Sequence, residues 1–296
     1  MNRVISEKAW AKLNLCLDVT EKLPDGYNGI RSVMQSISFC DDLDIIPYED
    51  TDKGNQGWTV ECNYKYIPTG ESNLAARAAL LYKSATGLGP SSGLIKIYKR
   101  IPVCGGFGGG SSNAAAMLRG LNREYGGRLA LAELESLGER LGADVPFCVE
   151  GGTKYAEGKG EKLTPLPFLD CHVLVCRPDF SCSTPELFAA VDRIKMRIRP
   201  DVAGMLKAIA DKDLMGVARR LFNVFEEVLP KKQAETVWEM KDLLIDSGAL
   251  GAVMTGTGSG VFGIFSAEAA AEEAAVRLKA EGIECYTART MDINKL

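Results

Sequence analysis

The run Ile101-Pro102-Val103-Cys104-Gly105-Gly106-Phe107-Gly108-Gly109-Gly110-Ser111-Ser112-Asn113 decides how the chain is read. Five glycines within six residues pass directly into the helix-forming sequence Ala114-Ala115-Ala116-Met117-Leu118. Glycine accepts the positive φ angles that turn successive backbone N–H groups toward one point. The N-terminus of the following helix adds unpaired N–H groups and the positive end of its dipole. Such a loop suits a di- or triphosphate, with Ser111 and Ser112 placed to cap the helix and to contact phosphate or Mg2+. The run is not a Walker A loop, which needs Gly-Lys-Ser/Thr after the glycines, nor the G-x-G-x-x-G dinucleotide fingerprint. A glycine-rich turn that holds no ligand is the alternative reading.

Three further signals stand outside this run. A second glycine turn, Met254-Thr255-Gly256-Thr257-Gly258-Ser259-Gly260, lies between two apolar segments and can add backbone N–H groups to the same anion, although a plain turn between strands would look similar. Lys12 interrupts the apolar, strand-like Ala9-Trp10-Ala11-Lys12-Leu13-Asn14-Leu15; a lysine buried there needs a carboxylate or phosphate partner. Asp144 lies in Gly142-Ala143-Asp144-Val145-Pro146, where Pro146 biases the residue before it toward an extended conformation. On spacing alone, Asp144 reads as a cap for the segment that follows.

The chain's 296 residues, 46% hydrophobic and 25% charged, describe a globular protein able to build its own core, with two domains the expectation. A formal net charge of −4 leaves no overall basic field for nucleic acid, and the alternating Arg193, Lys195, Arg197 and Arg199 read as a solvated face. With His172 as the lone histidine, in a buried strand, Ser-His-Asp triads, Cys-His dyads and His-rich zinc sites are excluded, so acid–base work falls to Asp, Glu or Lys. Nine scattered cysteines without a C-x-x-C pair read as small buried hydrophobes of a cytoplasmic protein. The N-terminus lacks a signal-peptide pattern, and the uncharged stretch 247–267 is too rich in glycine for a lipid-facing helix, so no membrane segment is expected.

Periodicity predicts strands over 9–20, 33–40, 58–62 and 93–98, with 41–46 leading into a polar hairpin around 49–57. Helices follow over 72–86, 112–125 and 130–141, the last with Leu131, Leu134, Leu137 and Leu141 on one stripe. Gly, Lys and Pro around 150–168 mark a domain junction. Beyond it lie strands at 172–177, within 252–265 and at 285–288, and helices over 184–193, 202–209, 213–221, 234–247 and 267–281. Strands mixed with helices, without strict βαβ repeats, give an α+β class.

Four blocks in this order, Ala11-Lys12-Leu13-Asn14 with Asp25-Gly26-Tyr27, then 102–113, then Gly142-Ala143-Asp144-Val145-Pro146, then Thr255-Gly256-Thr257-Gly258, resemble the GHMP kinases over nearly the whole chain. The resemblance implies a two-domain α+β fold with an ATP-binding N-terminal domain (1–155) and a C-terminal substrate domain (156–296). It also implies transfer of the ATP γ-phosphoryl group, with Mg2+, to a hydroxyl of a cytidine-diphosphate-linked polyol. By the same resemblance Asp144 is the general base and Lys12 its partner. Pro102, Gly105, Gly106, Gly108, Gly109, Gly110, Ser111 and Ser112 would cradle the ATP phosphates, with Asn73 and Lys99 near the adenine. Asn14, Gly256, Thr257 and Gly258 would hold substrate, and Tyr27, Asn28, Thr184 and Phe188 would surround the cytidine. Where the family usually has His after Asp-Gly-Tyr this chain has Asn28, which offers an amide donor and a carbonyl acceptor; Phe107 replaces the usual Leu. The alternatives are a GHMP kinase for a homoserine- or mevalonate-type alcohol, or a non-catalytic nucleotide-binding relative. A monomer or homodimer is expected.

Overall fold

A computed structural model describes residues 3–48 and 57–293. The first part of the chain runs β1 (Ile5–Lys22), β2 (Asn28–Pro47), β3 (Trp58–Cys62), α1 (Leu74–Thr86), β4 (Gly93–Tyr98), α2 (Gly109–Glu124), α3 (Leu131–Glu139) and α4 (Val145–Glu150). It continues through β5 (Thr153–Glu157), β6 (Lys162–Pro165), β7 (His172–Cys176), α5 (Thr184–Arg193), α6 (Val202–Ala210), α7 (Leu214–Ala218) and β8 (Phe222–Asn223). A 3-10 turn (Val224–Val228), α8 (Lys231–Asp246), β9 (Gly251–Met254), β10 (Val261–Phe265), α9 (Glu268–Ala280) and β11 (Cys285–Arg289) complete it. The class is α+β, as the mixed pattern predicts. The expected hairpin around 49–57 falls, apart from Gly57, outside the described residues.

Two compact units divide these elements, one made of Met1–Ala11, Cys40–Ile101 and Gly108–Glu150, the other of Lys12–Phe39, Pro102–Phe107 and Gly151–Leu296. Both long strands change unit in mid-course, β1 after Ala11 and β2 after Phe39.

In the first unit β4 pairs antiparallel with the end of β2, from Asp42 opposite Tyr98 to Pro47 opposite Gly93, and β3 lies parallel to β4. Helix α1 starts where Asn73 Oδ1 accepts the Ala75 N–H at 2.9 Å and stops at Gly87, whose φ of 69° is the left-handed cap that glycine adopts without strain. Its buried face is Ala75, Ala76, Ala78, Ala79 and Tyr82, and the four alanines leave room for α2 to pack closely against it. In α2 the alanine run is wholly buried. In α3, Leu134 and Leu137 are buried as the stripe predicts, but Leu131 opens the helix and is exposed.

In the second unit the first half of β2 pairs antiparallel with β5, from Ser32 opposite Ala156 to Gln35 opposite Thr153, and β5 folds back onto β6. The texture at 150–168 therefore encodes a hairpin and not a bare linker, with Gly158 and Gly160 supplying its positive-φ turn. An antiparallel sheet of order β11-β7-β10-β9 carries α8 and α9. Its core joins Leu174, Val261 and Phe265 to Val237, Leu244 and Leu278. His172 begins β7 half-buried, and six of the nine cysteines are buried (16, 40, 148, 171, 176 and 285). The helix predicted over 213–221 ends at Ala218 because Phe222 and Asn223 leave it to pair, parallel, with Cys16 and Leu17. No helix among the described residues is long and apolar enough to cross a membrane.

Candidate active site

Lys12 and Asn14 stand on the same face of β1, both about as buried as core residues. Lys12 Nζ donates to Asn14 Oδ1 at 2.6 Å, and Asn14 Nδ2 donates to Ser32 Oγ at 2.7 Å, which in turn donates to the Cys16 carbonyl at 2.7 Å. The chain locks Asn14 in one orientation, its carbonyl toward the ammonium. The backbone of β1 is tied to both glycine turns. Lys12 N–H donates to Phe107 O at 3.0 Å, and Asn14 N–H donates to Thr255 Oγ1 at 3.0 Å.

The two turns also touch each other. Gly260 N–H donates to Gly105 O at 3.0 Å. Gly106 has φ of 78°, and a Cβ there would be driven into the Thr255 carbonyl. A Cβ on Gly256 would lie 2.8 Å from Gly106 O and 3.2 Å from Lys12 Nζ, so only hydrogen at this position leaves the ammonium its place. The second turn, an ambiguous signal in the sequence, is thus packed onto the segment Pro102–Phe107. Asn223 pins it from behind: its Nδ2 donates to the carbonyls of Met254 (2.8 Å) and Gly256 (2.7 Å), while its Oδ1 accepts the Phe225 N–H at 3.0 Å. Neither Asn223 nor Ser32 is expected from the sequence, although Asn223 is a polar residue inside the apolar 221–225, the same signal that marks Lys12.

Thr184 and Thr257, expected together at the substrate, are joined by a hydroxyl contact of 2.8 Å. Phe188 packs edge-on against Phe225, with centroids 4.9 Å apart, so part of its ring is committed to the core. Tyr27 is 65% exposed, with Lys159 Nζ 5.4 Å from its ring centroid. The Tyr27 N–H and then Lys159 hold the Asp25 carboxyl below the usual carboxylate range. Asn28 Oδ1 is buried and accepts no hydrogen bond among the described residues. All of these residues, with Asn14 and the turn 254–260, belong to the second unit.

The nucleotide candidates Asn73, Lys99 and 108–112 belong to the first unit, and Pro102, Gly105 and Gly106 to the second. Helix α2 is capped by Gly108 (φ 72°) and not by a serine. The Ser112 N–H already bonds Gly108 O at 2.8 Å, and its buried hydroxyl donates to Trp10 O at 2.6 Å, which corrects the expected serine cap. The N–H groups of Gly109, Gly110 and Ser111 precede the first intrahelical bond and are the backbone donors at this end of the helix. Asn73 spends its side chain on the α1 cap and on the Pro68 carbonyl at 3.0 Å.

Asp144 directly precedes α4 and its carbonyl accepts the Cys148 N–H at 3.1 Å. The extended conformation expected before Pro146 is not seen: Val145 is the first residue of α4. Proline is tolerated there because the first-turn N–H it lacks has no intrahelical partner to lose. Among the described residues no group of three or more His, Cys, Asp or Glu side chains gathers to hold a metal ion. A magnesium ion here would be held largely by the phosphates it accompanies.

The chain is similar to known proteins along nearly its whole length. The GHMP kinases N terminal domain matches residues 73–152 and the GHMP kinases C terminal domain residues 205–284. A protein of Acetivibrio thermocellus named 4-diphosphocytidyl-2-C-methyl-D-erythritol kinase is 40% identical over 292 residues, 97% of this chain and 99% of its own. One of the same name from Caldicellulosiruptor saccharolyticus is 41% identical over 274 residues, 92% of each chain. The crystal structure of a 4-(cytidine 5'-diphospho)-2C-methyl-D-erythritol kinase superposes with a TM-score of 0.79 at 31% identity, covering 96% of this chain and 98% of that one. A homoserine kinase from Cytophaga hutchinsonii shares the fold at a TM-score of 0.71 and 16% identity, covering 97% and 95%. With its glycine turns, its buried lysine and relatives that match it nearly end to end, the chain belongs to the GHMP kinases, phosphotransferases that use ATP.

Proposed function

We propose that the chain phosphorylates the 2-hydroxyl of 4-diphosphocytidyl-2-C-methyl-D-erythritol from ATP, in the non-mevalonate isoprenoid pathway. The observation that carries the reading is the packing of Pro102–Phe107 against the turn 254–260 around the buried Lys12–Asn14 pair. It supports the reading because it sets a buried ammonium beside two glycine turns, and a transferring phosphoryl group needs positive charge held in place near it.

In this reading the free N–H groups of Gly109, Gly110 and Ser111, with Pro102, Gly105, Gly106, Gly108 and Ser112 shaping the loop, hold the ATP phosphates and their Mg2+. Asn73 sits toward the adenine, whereas Lys99, expected beside it, has its ammonium buried against Asp41 and acts at the glycine run. The substrate hydroxyl oxygen attacks the γ-phosphorus, the bond to the β–γ bridging oxygen breaks, ADP leaves, and the hydroxyl proton passes to the Asp144 carboxylate. Lys12 orients that carboxylate and balances charge at the reacting oxygen, and Asn14 fixes Lys12. Tyr27, Thr184 and Phe188 flank the cytidine. The unpartnered Asn28 Oδ1 supports this placement, since an exocyclic amine on the base is the donor it lacks. Gly256, Thr257 and Gly258 close over the substrate.

The division into an ATP-binding domain (1–155) and a substrate domain (156–296), a cytoplasmic location and a monomer or homodimer belong to the same proposal. The test is ATP consumption coupled to product mass, with Mg2+ and the cytidyl substrate beside homoserine and mevalonate phosphate. Turnover of the cytidyl substrate alone is expected. Phosphorylation of another alcohol would keep the kinase and discard the substrate, and ATP binding without transfer to any of them would favour a non-catalytic relative.

A further inference from the structure

One carboxylate that the reaction above leaves unused joins the two ends of the glycine run. Asp41, on β2, is fully buried. Its Oδ1 accepts the backbone N–H groups of Arg100 and Ile101, each at 2.8 Å, and these residues lead directly into the run. Its Oδ2 accepts Asn113 Nδ2 at 2.8 Å, on the helix that leaves the run, and pairs with the ammonium of Lys99. Lys99 is itself 5% exposed at its side chain, and a Cβ on Gly109 would lie 2.6 Å from its Nζ. The ammonium therefore rests against the backbone of the first residue of α2. All six residues belong to one unit.

A buried carboxylate is tolerated only when its lone pairs are met by donors and its charge by a cation, and Asp41 has both. The arrangement has a geometric consequence. The approach to the run and its exit are fixed to the two oxygens of a single planar group, so the direction taken by the N–H groups of Gly109, Gly110 and Ser111 depends on it. We propose that Asp41 is a positioning residue for the nucleotide, holding both ends of the glycine run and, through Lys99, the Gly109 backbone against which the ATP phosphates lie. The proposal rests on the reading of that run as the phosphate site.

Asp41→Asn keeps the shape but cannot meet the two backbone N–H groups, Asn113 and Lys99 together. In the full chain, ATP titration by calorimetry and steady-state kinetics should show the Kd and KM for ATP raised about tenfold or more. The KM for the alcohol and kcat at saturating ATP should stay within about threefold. A carboxylate that serves folding alone would lower the melting temperature and the active fraction while leaving the KM for ATP unchanged, and that result overturns the proposal. Asn113→Ala removes only the contact at the exit and should raise the KM for ATP about threefold. If Asp41→Asn does not fold, an unchanged KM in Asn113→Ala overturns it instead. Wild-type protein that fails to bind ATP removes the phosphate-site reading and the proposal together, whereas wild-type binding matched by Asp41→Asn removes the proposal alone.

Discussion

The carbonyl oxygen of the Asn14 side chain holds the Lys12 ammonium at 2.6 Å, two residues apart on one face of a strand. The pair is buried, and Ser32 prevents the amide from turning over. Replacing Asn14 with Ala removes this contact from the ammonium. We expect kcat to fall about tenfold to a hundredfold, with ATP affinity unchanged, because misplacement on the order of 1 Å is enough for such a loss. Single-turnover kinetics beside ATP titration check this; wild-type kcat would show that Lys12 needs no such support.

Asp144→Asn preserves size and removes the proton acceptor. Turnover should drop by about 10²–10⁴-fold while ATP still binds, and full activity in this variant would remove Asp144 as the base.

Gly106→Ala combines a positive φ of 78° with a Cβ driven into the Thr255 carbonyl. The two glycine turns would have to separate, at a cost on the order of 3 kcal/mol. Chemical denaturation should show a lower midpoint, and a midpoint equal to wild type would mean that the turns are not held together as described.

Asp170 and Arg289 form a two-pronged pair, with contacts of 3.0 and 2.9 Å. The Arg289 guanidinium holds the Asp170 carboxyl below the usual range. A lowered carboxyl pKa contributes stability above the unfolded-state value, about 3.9, and loses it as pH falls through the folded-state value. Both groups are more than half exposed, so the contribution is at most about 1 kcal/mol. Asp170→Asn should melt slightly below wild type near neutral pH, and the gap should close in acid below the ordinary Asp range. A gap that widens on acidification would contradict the sign.

Much of this site is legible in the sequence because its signals are local. Five glycines ahead of an alanine helix can be read from composition, and Lys12 from a charge inside an apolar strand. What escapes is set by long-range pairing. The meeting of Gly106 with Thr255 and the end of a helix at Ala218 in favour of Asn223 depend on residues far apart in the chain. The start of α4 at Val145 escapes for a different reason, since a local bias against helix before proline yields wherever proline falls in a first turn. The polar texture of 153–165 likewise masks a hairpin, because β6 is largely exposed and β5 buries the polar Thr153 and Lys154 in place of apolar residues.

The interleaving of the two units bears on the order in which the protein is made. The first unit has all of its chain by Glu150, whereas the second, which takes Lys12–Phe39 from the beginning, needs residues beyond Gly151 as well. During synthesis Lys12 leaves the ribosome more than two hundred residues ahead of Thr255, which bonds its neighbour Asn14, and of Gly256, whose missing side chain leaves room for the ammonium. A nascent chain stopped anywhere before that turn carries its lysine without the surroundings that make it useful.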